Sequence, residues 1–182
     1  MTPSDGPADL RRSIRSIPDF PKPGIMFRDI TTLLANPEAF EEAVRRMAAP
    51  YARGDVDLVV GAESRGFIFG APIALRLGAG LVLVRKSGKL PAETLSVTYD
   101  LEYGTDTVEM HRDALAEGDR ALMVDDLLAT GGTMAASCDL VEQAGGHIVG
   151  VEFLIELAFL SGREKLAKYP VRSQVVYNDE SP

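Results

Sequence analysis

The chain has 182 residues, enough for one domain with a substantial core and not obviously for two. An apolar fraction of 46%, a charged fraction of 25% and a formal net charge of −8 describe an ordinary globular protein and argue against a non-specific nucleic-acid surface. Cys138 is the only cysteine, which excludes an internal disulfide and a zinc-cysteine cluster. No apolar run approaches the roughly 20 residues that span a bilayer. The opening residues from Met1 to Arg12 lack the apolar stretch of a signal peptide, so the expected location is the cytoplasm, with no membrane partner.

The segment Met1 to Ala8, with its Pro, Ser, Asp and Gly, is expected to be poorly ordered. Pro18-Asp19-Phe20-Pro21-Lys22-Pro23-Gly24 is too rich in proline for a helix and reads as an extended loop. Asn36-Pro37-Glu38 is a helix start: a capping Asn, Pro in the first turn, then an acid near the positive end of the dipole. Phe40, Val44, Met47 and Tyr51 follow at helical spacing. Val56 to Gly61 and Gly80 to Arg85 read as strands, with a helical segment centred on Ala71 to Leu77 between them. From Glu93 to His111 apolar and polar residues alternate around Tyr103-Gly104-Thr105-Asp106, which predicts a mobile antiparallel hairpin outside the parallel core. Ala121 to Val124 is a further strand, ending in Asp125-Asp126. The next helix begins near Thr133, with Met134, Cys138, Val141 and Ala144 on one face, and stops at Gly145-Gly146. Ile148 to Ile155 is another strand. Continuous apolar strands alternating with helices imply an α/β fold, a mostly parallel sheet covered on both faces, with its ligand crevice along the strand C-termini.

That crevice is where the sequence carries most chemistry. After Asp125-Asp126 comes Ala129-Thr130-Gly131-Gly132-Thr133, opening a helix. The glycines let backbone N–H groups turn toward one point, Thr130 and Thr133 add hydroxyls, and the helix places its positive end there, which together make a cradle for one phosphate. The two carboxylates are placed to accept hydrogen bonds from sugar hydroxyls and to stabilise positive charge on a ribose ring. A Walker loop is excluded because Gly132 is followed by Thr133-Met134 rather than Lys; Gly61 to Gly66 fails likewise, being followed by Phe67. The G-x-G-x-x-G dinucleotide fingerprint is absent. The plain alternative is a tight strand-to-helix turn with an acidic edge.

Val124-Asp125-Asp126-Leu127-Leu128-Ala129-Thr130-Gly131-Gly132-Thr133 resembles the phosphoribosyl-diphosphate signature of the type I phosphoribosyltransferases. Further blocks resemble the adenine branch of that family: Pro18 to Pro21, Gly24 to Ile30, Glu63-Ser64-Arg65-Gly66-Phe67, Arg85-Lys86 with Lys89-Leu90-Pro91, and Leu101-Glu102-Tyr103-Gly104. The likeness runs from about Ile14 to Leu166. It implies the type I fold: a mostly parallel sheet flanked by helices, a small N-terminal hood and a mobile hairpin over the site. In one domain, residues about 8–35 would form the hood and about 36–177 the core. The implied reaction is purine salvage, in which adenine and 5-phosphoribosyl 1-diphosphate give AMP and diphosphate with Mg²⁺. A homodimer is implied as well.

The resemblance also distributes roles. Asp125, Asp126 and Ala129 to Thr133 (Ala129, Thr130, Gly131, Gly132, Thr133) would hold the phosphoribose, and Ser64, Arg65, Arg85, Lys86 and Lys89 the diphosphate. A cation cluster in an acidic chain suits a polyanionic leaving group. On the residues alone, Arg65 is equally a solvated surface residue and Lys89 a solvated loop lysine. Glu102 would act near the ring proton of the base, with Tyr103 beside it in the closing hairpin; without the resemblance Glu102 is a solvated loop carboxylate. Phe27 would stack on adenine with Leu157 opposite, while the Met26 carbonyl and Arg28 amide read its edge; an isolated Phe or Leu is otherwise core. Ser87 departs from the family, where Pro is frequent, which loosens that loop without removing a reactive group. Cys138 reads as core, and His111 and His147 have no partners at metal-ligand spacing, so no dedicated metal site is expected and Mg²⁺ would arrive on the substrate. Two competitors remain: a transferase for hypoxanthine, xanthine or orotate, and a non-catalytic sensor of the same ligand, for which no DNA-binding segment is evident.

Overall fold

The computed structural model describes residues 9–100 and 104–181; the expectations for Met1 to Ala8 and for Leu101, Glu102 and Tyr103 lie outside them. A seven-stranded sheet carries the fold. Its strands are β3 (Leu58–Ala62), β4 (Gly80–Lys86), β5 (Thr94–Asp100), β6 (Thr105–His111), β7 (Arg120–Leu128), β8 (His147–Leu157) and β9 (Val171–Tyr177), in the order β5-β6-β4-β3-β7-β8-β9. The five strands from β4 to β9 in that order are parallel, and β5 and β6 are antiparallel. A separate two-stranded antiparallel sheet, β1 (Arg15–Ile17) with β2 (Phe27–Asp29), forms the N-terminal hood.

Alternation along the central strands feeds two cores. Val59, Leu122 and Val124 join Phe69 and Ile73 of α4 (Gly66–Leu77) and Ala39, Ala43 and Met47 of α3 (Pro37–Ala48) on one face. Val60, Met123 and Val151 join Met134, Cys138 and Val141 of α5 (Gly132–Gln143) on the other. Phe69, Phe153 and Leu122 are fully buried, each burial contributing about 1.5–3 kcal/mol. Two short N-terminal helices, α1 (Leu10–Ser13) and α2 (Thr31–Leu34), bring Leu10 and Leu33 into the first core.

The helix expected at Asn36 forms as anticipated: the Asn36 side chain accepts from the N–H groups of Glu38 and Ala39 at 3.1 and 3.2 Å. It ends at Ala48, before Tyr51, whose hydroxyl instead donates to Glu152 at 3.1 Å. The acidic pair was expected to follow its strand; it lies inside β7. That strand pairs with β3 only as far as Val124, but β8 continues to partner it to Leu128, so Asp125 and Asp126 sit on an extension open on one side. The hairpin is present, antiparallel from Thr94–His111 to Asp100–Thr105, and joins the sheet edge at Arg85–Glu109 and Lys86–Val108. Strand β9 was not anticipated.

Glu152 is fully buried, and burial pushes its carboxyl from 4.5 up to about 7, against the pull of the Tyr51 hydroxyl, Arg172 and Gln174. Between those two pH values the folded chain holds a proton that the unfolded chain has released. Stability is therefore fully present below 4.5 and declines as pH rises to about 7, by on the order of 3 kcal/mol. Glu152→Gln should remove that decline, so its melting temperature relative to wild type should rise from pH 5 to pH 8. Parallel melting curves across that range would refute the assignment.

Candidate active site

The C-terminal ends of β3, β4 and β7 converge on one crevice. Beyond β3, the chain turns through Glu63, Ser64 and Arg65 into α4, and the Glu63–Ser64 peptide is cis. The start of α4 can lie against β7 because residue 66 is Gly: a Cβ there would stand 2.8 Å from the Val124 carbonyl oxygen and 3.0 Å from Asp125 Oδ1. That close approach brings Arg65 Nε to 2.8 Å from Asp126 Oδ2. The pair is not aligned as a hydrogen bond, and Asp126 Oδ2, although buried, keeps accepting capacity. Asp125 Oδ1 accepts from the Asp126 N–H at 2.8 Å. Burial and the neighbouring Asp126 charge hold the Asp125 carboxyl well above the carboxylate range. Burial also raises Asp126, against the pull of Arg65.

Past β7 the chain makes the expected turn. Gly131 has φ of +76° and opens α5, and residues Ala129 to Thr133, with Asp125 and Phe153, line a cavity of about 90 Å³. A second cavity of about 460 Å³ adjoins it, lined by Ser64, Arg65, Lys86, Asp125, Asp126 and Thr133 among others. A sugar bridging the two would have its phosphate at the helix start and its other end beside the cations.

The cations are not idle. Glu63 Oε2 accepts from the Lys86 N–H at 2.9 Å and from Arg85 Nε at 3.3 Å, and Lys89 Nζ donates to Glu63 Oε1. Burial raises the Glu63 carboxyl, but these donors outweigh it and leave it below its ordinary range. Lys86 Nζ reaches Asp106 of β6 and, at 3.4 Å, the Tyr99 hydroxyl of β5. Burial lowers the Lys86 ammonium, and Asp106 with Tyr99 more than restores it. The Tyr99 hydroxyl also lies 2.9 Å from Thr133 Oγ1, and a Cβ on Gly132 would meet the Tyr99 ring at 3.2 Å. The hairpin is thus tied both to Lys86 and to the turn that opens α5.

Residues 29–180 match the model of the phosphoribosyl transferase domain family. An adenine phosphoribosyltransferase of Roseiflexus sp. (strain RS-1) is 60% identical over 170 residues, covering 93% of this chain and 97% of that one. The chain belongs to the phosphoribosyltransferase family, in its adenine branch. The crystal structure of adenine phosphoribosyltransferase from Thermoanaerobacter pseudethanolicus superposes with a TM-score of 0.89 at 54% identity, over 93% of this chain and 98% of that one. The Saccharomyces cerevisiae enzyme, crystallised with an imino-altritol bisphosphate and adenine, has a TM-score of 0.84 at 41% identity, covering 91% and 96%. The type I fold expected from the sequence is the one observed.

Among the described residues, none of those expected to hold the base lines either cavity. Phe27 of the hood has its ring centroid 5.9 Å from the Arg65 guanidinium carbon and stands edge-to-face with Phe20. Met26 is half-buried just before β2. The Arg28 side chain is buried, stacked at 3.8 Å on the Tyr177 ring and donating to Ser16 Oγ at 2.5 Å. Leu157 ends β8 and packs against the first core. Glu102 and Tyr103 lie outside the described residues. Sequence reasoning missed Glu63, Tyr99 and Asp106. Glu63 was visible only as part of a block shared with the family, Tyr99 looked like an ordinary member of an alternating strand, and Asp106 like part of the hairpin's centre.

Proposed function

We propose that this chain joins adenine to 5-phosphoribosyl 1-diphosphate, giving AMP and diphosphate. The observation that carries the reading is the phosphate turn and the acidic pair on one strand end, sharing a crevice with Ser64, Arg65 and Lys86. The adenine-bound yeast relative supports the choice of base. In the reaction the C1–oxygen bond to diphosphate breaks, the ribose ring takes up positive charge, adenine N9 bonds to C1, and the N9 proton leaves. Backbone N–H groups and hydroxyls of Ala129 to Thr133 hold the 5-phosphate. Asp125 and Asp126 accept from the ribose hydroxyls and stabilise the cationic ring. Ser64, Arg65, Arg85, Lys86 and Lys89 receive the diphosphate, with Glu63 ordering the Arg85 and Lys89 cations and the Lys86 backbone. Phe27 and Leu157 sandwich the base, Met26 and Arg28 read its edge through backbone groups, and the Glu102 carboxylate accepts the ring proton that leaves the base. Closure of the hairpin with Tyr103 keeps water from the activated ribose.

Among the described residues no group of three His, Cys, Asp or Glu is arranged to hold a metal. Mg²⁺ would instead arrive with the diphosphate, held beside Ser64, Arg65 and Lys86, and would supply charge neutralisation to the leaving group. Residues about 8–35 serve as the hood and about 36–177 as the core of one unit. Ile68 and Leu75 of α4 and Leu81 and Leu83 of β4 are exposed apolar residues on two elements that pack together, which supports a homodimer; sedimentation at the monomer mass would count against it. A cytoplasmic location suits a highly charged phosphate ester that does not cross membranes unaided.

The test is a panel of adenine, hypoxanthine, xanthine and orotate, each incubated with phosphoribosyl diphosphate and Mg²⁺ and assayed for nucleotide. Adenine should give AMP; nucleotide from another base alone would overturn the assignment, and nucleotide from none would favour a sensor. Asp106 offers a separate check, since its carboxylate competes with diphosphate for Lys86. Asp106→Asn should tighten diphosphate by about two- to five-fold, the value of a part-exposed ion pair, in calorimetry with Mg²⁺ present. Weaker binding would make Asp106 a support for the lysine rather than a competitor.

A further inference from the structure

The phosphate turn has a back as well as a front. Its back rests on Gly162, the first residue of a short 3₁₀ turn, Gly162–Leu166. A Cβ on Gly131 would stand 2.4 Å from the Gly162 carbonyl oxygen. Reciprocally, a Cβ on Gly162 would stand 2.1 Å from the Ala129 carbonyl oxygen and 2.9 Å from the Gly131 nitrogen. These are backbone atoms, which cannot swing aside as a side chain can. Gly162 is not in the left-handed region, so its own dihedral angles would accept alanine. Glycine is needed there for the approach, not for the turn.

Gly162 is itself held firmly. The next residue, Arg163, pairs two-pronged with Glu156 of β8, at 2.9 Å from Nε and 2.6 Å from Nη2, and donates to the Val171 carbonyl at 2.8 Å. Ser173 Oγ of β9 donates to the same Glu156 at 2.6 Å. Glu156 is buried, and Arg163 with Ser173 keeps it ionised, below its ordinary range, despite that burial. Leu166, fully buried in the second core, fixes the other end of the turn. The brace therefore runs from β8 and β9 through Arg163 to Gly162, and from there to the peptide groups of residues 129–131.

We infer that Gly162, locked by the Arg163–Glu156 pair, is a positioning residue for the 5-phosphate: it sets the direction of the turn's N–H groups by backbone contact from behind. This rests on the reading of the turn as a phosphoribose cradle. A methyl group at 162 must push the Ala129–Gly131 peptides forward, misaiming donors whose bonds to a charged phosphate depend on direction. The effect is confined to one end of the substrate, which a general loss of structure would not be.

The experiment compares wild type and Gly162→Ala by calorimetry with ribose 5-phosphate, AMP and Mg²⁺-diphosphate, alongside melting temperatures and Michaelis constants. Ribose 5-phosphate and AMP should each weaken about ten-fold or more, equivalent to one or two charged hydrogen bonds lost, with diphosphate affinity and the adenine KM little changed. Unchanged AMP and ribose 5-phosphate affinity in the variant would overturn the inference. Wild type that binds neither would instead overturn the cradle itself. Should Gly162→Ala fail to fold, Arg163→Lys keeps the charge but not the two-pronged geometry, and should show the same one-ended pattern more weakly. Equal weakening of all three ligands in that variant would count against the brace.

Discussion

Adenine should be used at least about 10⁴ times more efficiently than hypoxanthine, as a ratio of kcat/KM. The two bases have nearly the same outline, so stacking on Phe27 cannot separate them. They differ at one edge: adenine presents an amino donor beside an acceptor nitrogen, and hypoxanthine a carbonyl beside an N–H. Met26 and Arg28 flank Phe27, and in extended chain the backbone groups of residues two apart turn to the same edge. A Met26 carbonyl and an Arg28 N–H on that edge match adenine and oppose hypoxanthine acceptor to acceptor and donor to donor. Buried groups left unpaired make that mismatch costly. Met26→Ala should keep the preference, since the carbonyl remains; loss of preference in that variant alone would move the choice to the side chain.

Asp126→Asn should lower kcat by about 10² while leaving the melting temperature equal or higher. The two effects separate because they have different causes. Asp126 is buried beside Asp125, and both carboxyls are raised by that burial, so the ionised pair costs stability in the ligand-free chain. Asn keeps the shape and discards the charge. In the proposed reaction the same charge would face a ribose ring that becomes cationic as diphosphate departs, and an amide would stabilise that ring far less. Native turnover in Asp126→Asn would reduce the residue to a structural partner of Arg65; a large fall in melting temperature would mean that the ion pair at 2.8 Å matters chiefly for folding.

Much of this was legible because the relevant signals are local. The Asn36 cap, the glycine pair at 131 and 132 and the apolar runs of β3, β4, β7 and β8 each follow from neighbouring residues. What was hidden depends on contacts distant in sequence. Gly162 follows Ser161 in what reads as an ordinary loop, and only the folded chain puts it against Gly131. Tyr99 alternates like any strand aromatic until the hairpin brings its hydroxyl to Thr133. Strand β9 escaped notice because Val171-Arg172-Ser173-Gln174-Val175-Val176-Tyr177 is half polar, as an edge strand can be. The extension of β7 through two acids contradicts strand propensity, and β8 supplies the missing partner.

A crystal structure of the protein with AMP tests the central claim most directly. The 5-phosphate should lie in the cavity of about 90 Å³, with its oxygens at hydrogen-bonding distance, about 3 Å, from backbone N–H groups between Ala129 and Thr133. The ribose hydroxyls should meet Asp125 and Asp126, and the adenine should lie on Phe27. A phosphate seated instead against Arg65 and Lys86, with the turn empty, would contradict the account.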